Sequence, residues 1–89
     1  MKIKVELFGA SREFSKNNLI ELEIKNNSTI KNIRDKMINY LDQNFNGNKN
    51  FKKIVENSVF CNENNNIVSD NYKITKNQKI AIIPPIGGG

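Results

Sequence analysis

Residues 79–83, Lys79-Ile80-Ala81-Ile82-Ile83, are apolar on both faces of an extended chain and stop on Pro84-Pro85. A strand that is apolar on both sides belongs in the interior of a sheet, with a neighbour along each edge. Two successive prolines have no backbone N–H, so they end the ladder and hold the chain extended. The last strand is therefore expected at the centre of its sheet. Residues 2–8 offer it a neighbour, because Ile3, Val5 and Leu7 alternate with Lys2, Lys4 and Glu6, the period of a half-buried strand. Pairing the first and last strands makes them parallel, which requires a long crossover between them.

The intervening sequence supplies that crossover. Residues 19–25 alternate again, with Ile20, Leu22 and Ile24 opposed by Glu21, Glu23 and Lys25. They lie close enough to the first run for an antiparallel hairpin, across Gly9 and a short turn at 10–14. Asn26-Asn27 supplies a turn, and either Ser28 or Thr29 is a helix N-cap. Ile30, Ile33, Met37, Tyr40, Leu41 and Phe45 then recur at spacings of three and four. This predicts one amphipathic helix laid on a sheet, ending near Asn46-Gly47. Residues 48–57 are polar with isolated Phe51, Ile54 and Val55, and read as a loop with a short extra helical turn. Residues 59–62 read as a short strand, 63–66 as an Asn-rich turn, and Ile67-Val68 as a brief strand. Residues 69–77 read as a connection with Tyr72 and Ile74 tucked under the body. The pattern predicts an α+β fold, a mixed sheet curled around one main helix, as in a β-grasp or ubiquitin-like roll.

Composition narrows the chemistry. With 89 residues the chain makes one small domain, expected over residues 1–84 and followed by a flexible tail over 85–89. It has no histidine and one cysteine, so a Cys/His pair, a Ser/His/Asp triad or a zinc site cannot be assembled. Cys61 sits in a strand-like run and is expected as a buried core thiol. Catalysis by this chain alone is not expected, nor is a bound metal. The net charge of +5 comes from lysines spread along the chain, with one cluster at Lys49, Lys52 and Lys53. Arg12 and Arg34 are the only arginines and Tyr40 and Tyr72 the only tyrosines, which is not the arginine-and-aromatic pattern of a nucleic-acid binder. The basic surface can still steer an acidic partner. No run approaches the roughly 20 apolar residues of a membrane span. The alternating N-terminus lacks a signal peptide's apolar segment, so the expected location is the cytoplasm.

The ending Pro84-Pro85-Ile86-Gly87-Gly88-Gly89 is the remaining candidate for function. Glycine has no Cβ, so three in a row pass through a channel too narrow for other residues. Extended at roughly 3.4 Å per residue, Pro85 to Gly89 reach about 17 Å, far enough to enter another protein's active site. Three glycines are also what a cloning scar or frayed end would leave, although a scar would not continue the preceding Pro-Pro-Ile.

Taken together, these residues resemble a known family. Val5-Glu6-Leu7-Phe8-Gly9-Ala10-Ser11-Arg12-Glu13-Phe14, the Ser28-Thr29-Ile30 helix start, Cys61-Asn62 and the run from Ile80 to Gly89 are similar to the ubiquitin-like sulfur carriers (MoaD/ThiS). Within these the nearest resemblance is to the molybdopterin synthase small subunit. The resemblance implies that Gly89 carries the reacting carboxylate, with Gly88 keeping the approach slim. An E1-like (MoeB-like) adenylyltransferase would adenylate it with ATP and Mg²⁺, and a persulfide donor would convert it to a thiocarboxylate. A MoaE-like large subunit would then receive the sulfur, in the pathway to the molybdenum or tungsten cofactor. No cofactor is expected to stay bound.

The resemblance also implies a partner-facing surface at Phe8, Arg12, Ile83, Pro84, Pro85, Ile86 and Gly87. From the residues alone, Phe8 and Phe14 belong either to that surface or to the core, and Arg12 is either a partner contact or a solvated turn residue. Two other roles share the same tail: a sulfur carrier for another product, such as thiamine or thiolated tRNA, and a ubiquitin-like modifier joined to lysines through Gly89. The chain departs from the family in its basic charge, in Lys76-Asn77-Gln78 where Asp-Gly is usual, and in the long polar stretch 48–57.

Overall fold

The computed structural model describes residues 1–86. Strand β1 (Lys2–Leu7) leads through a 3₁₀ turn (Gly9–Phe14) to β2 (Leu19–Glu23). A two-residue strand β3 (Ser28–Thr29) precedes helix α1 (Ile30–Phe45), then helix α2 (Lys49–Asn57). The chain closes with β4 (Val59–Cys61), β5 (Ile67–Val68), β6 (Lys73–Ile74) and β7 (Gln78–Ile83). The main sheet has the order β2-β1-β7-β4-β5. β7 is central, parallel to β1 and antiparallel to β4, as its two apolar faces require. β3 and β6 form a separate two-stranded sheet, antiparallel, with Ser28 opposite Ile74.

One core fills the space between α1 and the sheet. Ile30, Ile33, Met37 and Leu41 of α1 join Ile3, Val5, Leu7, Ile20, Leu22, Phe60, Ile80 and Ile82 in one buried cluster. This is the β-grasp roll predicted from the alternation. Tyr40 and Phe45, at the margin of the helical stripe, are half-buried against it.

The start of α1 is fully accounted for. Thr29 is its N-cap, its Oγ1 accepting from the Asn32 N–H at 3.3 Å while the Asn32 Oδ1 accepts from the Thr29 N–H at 2.9 Å. The Ile30 and Lys31 N–H groups donate to the Tyr72 and Asp70 carbonyls at 3.0 and 3.1 Å. The donors that a helix start leaves free are thus taken by the connection before β6. The helix ends on Asn46, in the left-handed region at φ 54°. Among the described residues the other left-handed positions outside glycine are Asn18, Asn27 and Asn65. Asparagine tolerates this conformation best after glycine, so part of the chain's asparagine content serves its turns.

Residues 48–57 differ from expectation. They form a full helix, capped by the Asn48 Oδ1, which accepts from the Asn50 and Phe51 N–H groups at 2.9 and 3.2 Å. A nine-residue helix is marginal alone, and tertiary contacts hold this one. The Phe51 ring lies 5.0 Å from both Phe14 and Phe45, and Val55 is buried. At its other end Arg34 Nη1 donates to the Val55 and Ser58 carbonyls at 2.6 and 2.8 Å. Cys61 also departs from expectation. Strand alternation gives the inside position to Phe60, leaving Cys61 half-buried on the opposite face.

The turn between β4 and β5 is tied to the one before β7 by an ion pair, Lys76 Nζ to Glu63 Oε1 at 2.7 Å. The hydrogen bond and the charge of Glu63 raise the Lys76 pKa above the ordinary 10.5. This contribution is present at neutral pH and is lost only as pH rises through that raised value.

Candidate functional site

The site begins where β7 ends. Ile83 is half-buried, Pro84 is buried, and Pro85 and Ile86 are exposed. Pro84 sits under the corner after β1: a Cβ on Gly9 would stand 3.8 Å from Pro84 Cδ, an ordinary contact. Space is therefore not what requires glycine here. Gly9 has φ +56°, a conformation an L-residue adopts at a cost of about 1–2 kcal/mol. Gly9→Ala is expected to lower stability by about 1 kcal/mol in urea unfolding, with the fold retained. The corner is braced by Ser11, fully buried, whose Oγ accepts from the Phe8 N–H at 3.0 Å and donates to the Phe8 carbonyl at 2.6 Å.

The outer face of the sheet divides in two. Inward positions belong to Ile3, Val5, Leu7, Ile80, Ile82 and Phe60, so the alternate residues face out. At the end where β1 and β2 meet the start of β7, the outward residues are Lys2, Lys4, Glu21, Glu23 and Lys79. Glu6 also faces out, beside Ala81 and 3.9 Å from Lys79. Toward the end where the chain leaves β7, the outward residues of β7, β4 and β5 are apolar. Ile83 pairs with Val59, and Ala81 pairs with Cys61, which pairs in turn with Ile67. Val59 is 43% and Ile67 71% exposed. Phe8 follows β1 in extended conformation at the level of Ile83 and is half-exposed, whereas Phe14 is buried in the core. These outward positions and the exposed Ile86 make the exit end of the sheet apolar.

The structure thus brings Phe8, Ile83, Pro84, Pro85 and Ile86 to one end of the sheet. Arg12 is exposed on the 3₁₀ turn and makes no ion pair among the described residues. Gly87, Gly88 and Gly89 lie outside the described residues. Sequence reasoning missed Val59 and Ile67 as members of the surface. Their signal was their pairing across short strands, which emerges only once β4 is placed beside β7.

A groove of about 140 Å³ opens on the other side of the exit, between α2 and the proline segment. Ile54, Asn50, Asn57 and Lys53 wall it on one side, Ala10, Pro84 and Pro85 on the other. No helix among the described residues is long and apolar enough to cross a membrane.

The fold and this exit define a ubiquitin-like protein whose sheet ends beside its C-terminal segment. The ThiS family matches residues 5–89, and the chain belongs to it. It is thereby a ubiquitin-like protein of the sulfur-carrier type. No curated protein matches the chain. Among solved structures it is similar to SAMP1 of Haloferax volcanii, at TM-score 0.70 and 13% identity, covering 100% of both chains. It is similar to a protein provisionally assigned as molybdopterin converting factor subunit 1 from Pyrococcus furiosus, at TM-score 0.69 and 15% identity, covering 96% and 98%. Ubiquitin of Caldiarchaeum subterraneum is similar at TM-score 0.61 and 21% identity, covering 100% and 98%. At these identities the likeness is one of fold.

Proposed function

We propose that this chain is a cytoplasmic sulfur carrier that acts as the small subunit of molybdopterin synthase. The single observation that carries the reading is the family match running through to Gly89, in a chain whose last strand ends on a buried Pro84 beside an exposed apolar face. Residues 85–89 act as the tail and residues 1–84 as the body that presents it. In this reading Gly89 is the reacting residue, and a carboxylate there is an anion at neutral pH and a poor electrophile. An E1-like, MoeB-like enzyme transfers AMP from ATP to that carboxylate with Mg²⁺, releasing pyrophosphate. The terminal sulfur of a persulfide then attacks the acyl carbon and AMP departs. A second thiol cleaves the resulting acyl disulfide and leaves the Gly89 thiocarboxylate. A MoaE-like large subunit receives the tail, and the sulfur is delivered to a pterin precursor. Gly87 and Gly88 have no side chain to obstruct entry.

The apolar half of the outer face supports this reading, because a carrier must seat on each enzyme before its tail enters. Val59 and Ile83 are its centre, with Phe8 at the same level. Val59→Asp places a charge in the middle of that contact while leaving the core untouched. It is expected to weaken binding to the large subunit by about 100-fold, measured by calorimetry, with thermal stability unchanged. Unaltered affinity would remove this face from the interface.

Reconstitution tests the function directly. The chain is incubated with the adenylating enzyme, ATP, Mg²⁺ and a persulfide donor, then with the large subunit and pterin precursor. Formation of the dithiolene product is the expected result, and a thiocarboxylated chain that yields no product would contradict the pathway assigned. A second reading, a modifier joined to lysines through Gly89, draws on the same tail and on the fold it shares with small archaeal modifier protein 1 of H. volcanii. It predicts isopeptide-linked conjugates in the native host.

A further inference from the structure

The proposed function uses the tail and the sheet's outer face, and leaves α2 without a role. The helix turns Phe51, Ile54 and Val55 toward the body and exposes Lys49, Lys52 and Lys53. The ion pairs among the described residues are Lys31–Asp35, Arg34–Asp70, Lys76–Glu63 and Lys79–Glu6; Glu56, the one acidic residue of α2, stands a turn beyond Lys52 without closing an ion pair, so the helix carries a net charge of about +2. Folding does not favour this arrangement. Lys49 opens the helix at the positive end of its dipole, with no acidic residue in the first turn. Lys49 and Lys53 stand one turn apart, a like-charge spacing that weakens a helix. Lys49 and Lys53 are thus placed against local stability, and Lys53 lines the groove beside Pro84 and Pro85.

Below them lies the groove at the base of the tail. Ile54 and the rings of Pro84 and Pro85 give it an apolar lining, and its polar groups are the Asn50 and Asn57 amides with the Lys53 ammonium. The ammonium group donates only, and each amide offers donors beside one carbonyl acceptor. Such a rim suits carboxylates held above a short apolar contact.

We propose that α2 and this groove form a second docking surface, which takes an acidic segment of the adenylating enzyme that receives the tail. The inference rests on the proposed function, because the groove is lined by Pro84 and Pro85 at the base of the segment that such an enzyme would grip. Charge complementarity selects the occupant: the net positive charge of α2 attracts an acidic segment at long range and orients the carrier before the tail enters.

The test is ATP–pyrophosphate exchange by the E1-like adenylating enzyme of the same organism, measured against carrier concentration at several salt concentrations. K49E/K53E is expected to raise KM at least about tenfold, leave kcat within about twofold, and flatten the salt dependence of kcat/KM. K49Q/K53Q, which removes charge without reversing it, is expected to fall between, and circular dichroism checks that both variants keep their helices. K2E/K25E makes the same change of charge at the far end of the sheet, where Lys2 pairs with Glu23, and is expected to leave KM unchanged. An unaltered KM in K49E/K53E overturns the proposal, as does an equal rise in K2E/K25E. A fall in KM also overturns it, since the groove would then be holding the chain's own terminal carboxylate. Absence of exchange with the unaltered chain removes the carrier reading and this surface with it. Exchange by the unaltered chain whose KM is the same in K49E/K53E removes the surface alone.

Discussion

Adding one residue after Gly89 is expected to abolish sulfur transfer and to leave the fold as it was. The extension turns the Gly89 carboxylate into an amide carbonyl and moves the free carboxylate about 3.4 Å further along the channel. Misplacement of a reacting group by about 1 Å already costs on the order of 100-fold, so a loss of at least about a thousandfold is expected in the reconstituted reaction. Nothing in the body responds, because the buried core ends at Ile82 and Pro84 and the exposed residues begin at Pro85. Thermal unfolding of the extended chain should match that of the unaltered one. Full sulfur transfer by the extended chain would show that the reacting group is not at Gly89. Deletion of Gly89 gives the same expectation from the other direction, since the carboxylate then stops short of the adenylating centre.

The largest expected effect on stability belongs to Arg34. Its side chain is 15% exposed and ties together three parts of the chain far apart in sequence. Nη1 donates to the Val55 and Ser58 carbonyls at the end of α2, and Nη2 donates to Asp70 Oδ1 at 2.7 Å. The guanidinium also lies 5.0 Å from the centre of the Phe60 ring. Its Nε has no acceptor among the described residues, so the arrangement is not ideal, but truncation is worse. Arg34→Ala leaves the Ser58 carbonyl without its donor, leaves the Val55 carbonyl only the longer bond from the Ser58 N–H at 3.4 Å, and opens a space beside Phe60. A loss of about 3 kcal/mol is expected in urea unfolding, equivalent to a large fraction of a small domain's stability. Arg34→Lys should recover only part of it, since an ammonium lacks the planar fork that serves separate acceptors. A loss below about 1 kcal/mol would mean that solvent satisfies those carbonyls. Because Arg34 anchors the end of α2, the same variants should also disturb the groove at the tail.

The fold was legible where patterns were long. Alternation over β1 and β2, the apolar stripe of α1 and the two-faced run of β7 each had enough residues to set a period, and together they required the parallel pairing of first and last strands. The short elements were not legible for the opposite reason. In α2, Phe51, Ile54 and Val55 do follow helical spacing and Asn48 is a good cap, but nine lysine- and asparagine-rich residues become a helix only when Phe14, Phe45 and Arg34 are in place. β3 and β6 each have two residues, too few for any period. Cys61 illustrates the same limit: in a three-residue strand either the middle residue or the two outer ones face inward, and the larger, more apolar Phe60 takes the inside. Of the candidate site, the proline segment was readable because proline and glycine restrict the backbone in known ways. Val59 and Ile67 were not, because their role depends on which strands become neighbours. Gly87, Gly88 and Gly89 remain positions assigned by sequence.

The measurement that bears most directly on the carrier role is the intact mass of the protein purified from its native host. Replacement of one terminal oxygen by sulfur adds about 16 Da, and fragmentation should place that increment on Gly89. A host-derived chain carrying it would establish the thiocarboxylate. A chain that ends in an unmodified carboxylate, with Gly89 found instead in isopeptide linkage to lysines of other proteins, would contradict the carrier reading and leave the modifier in its place.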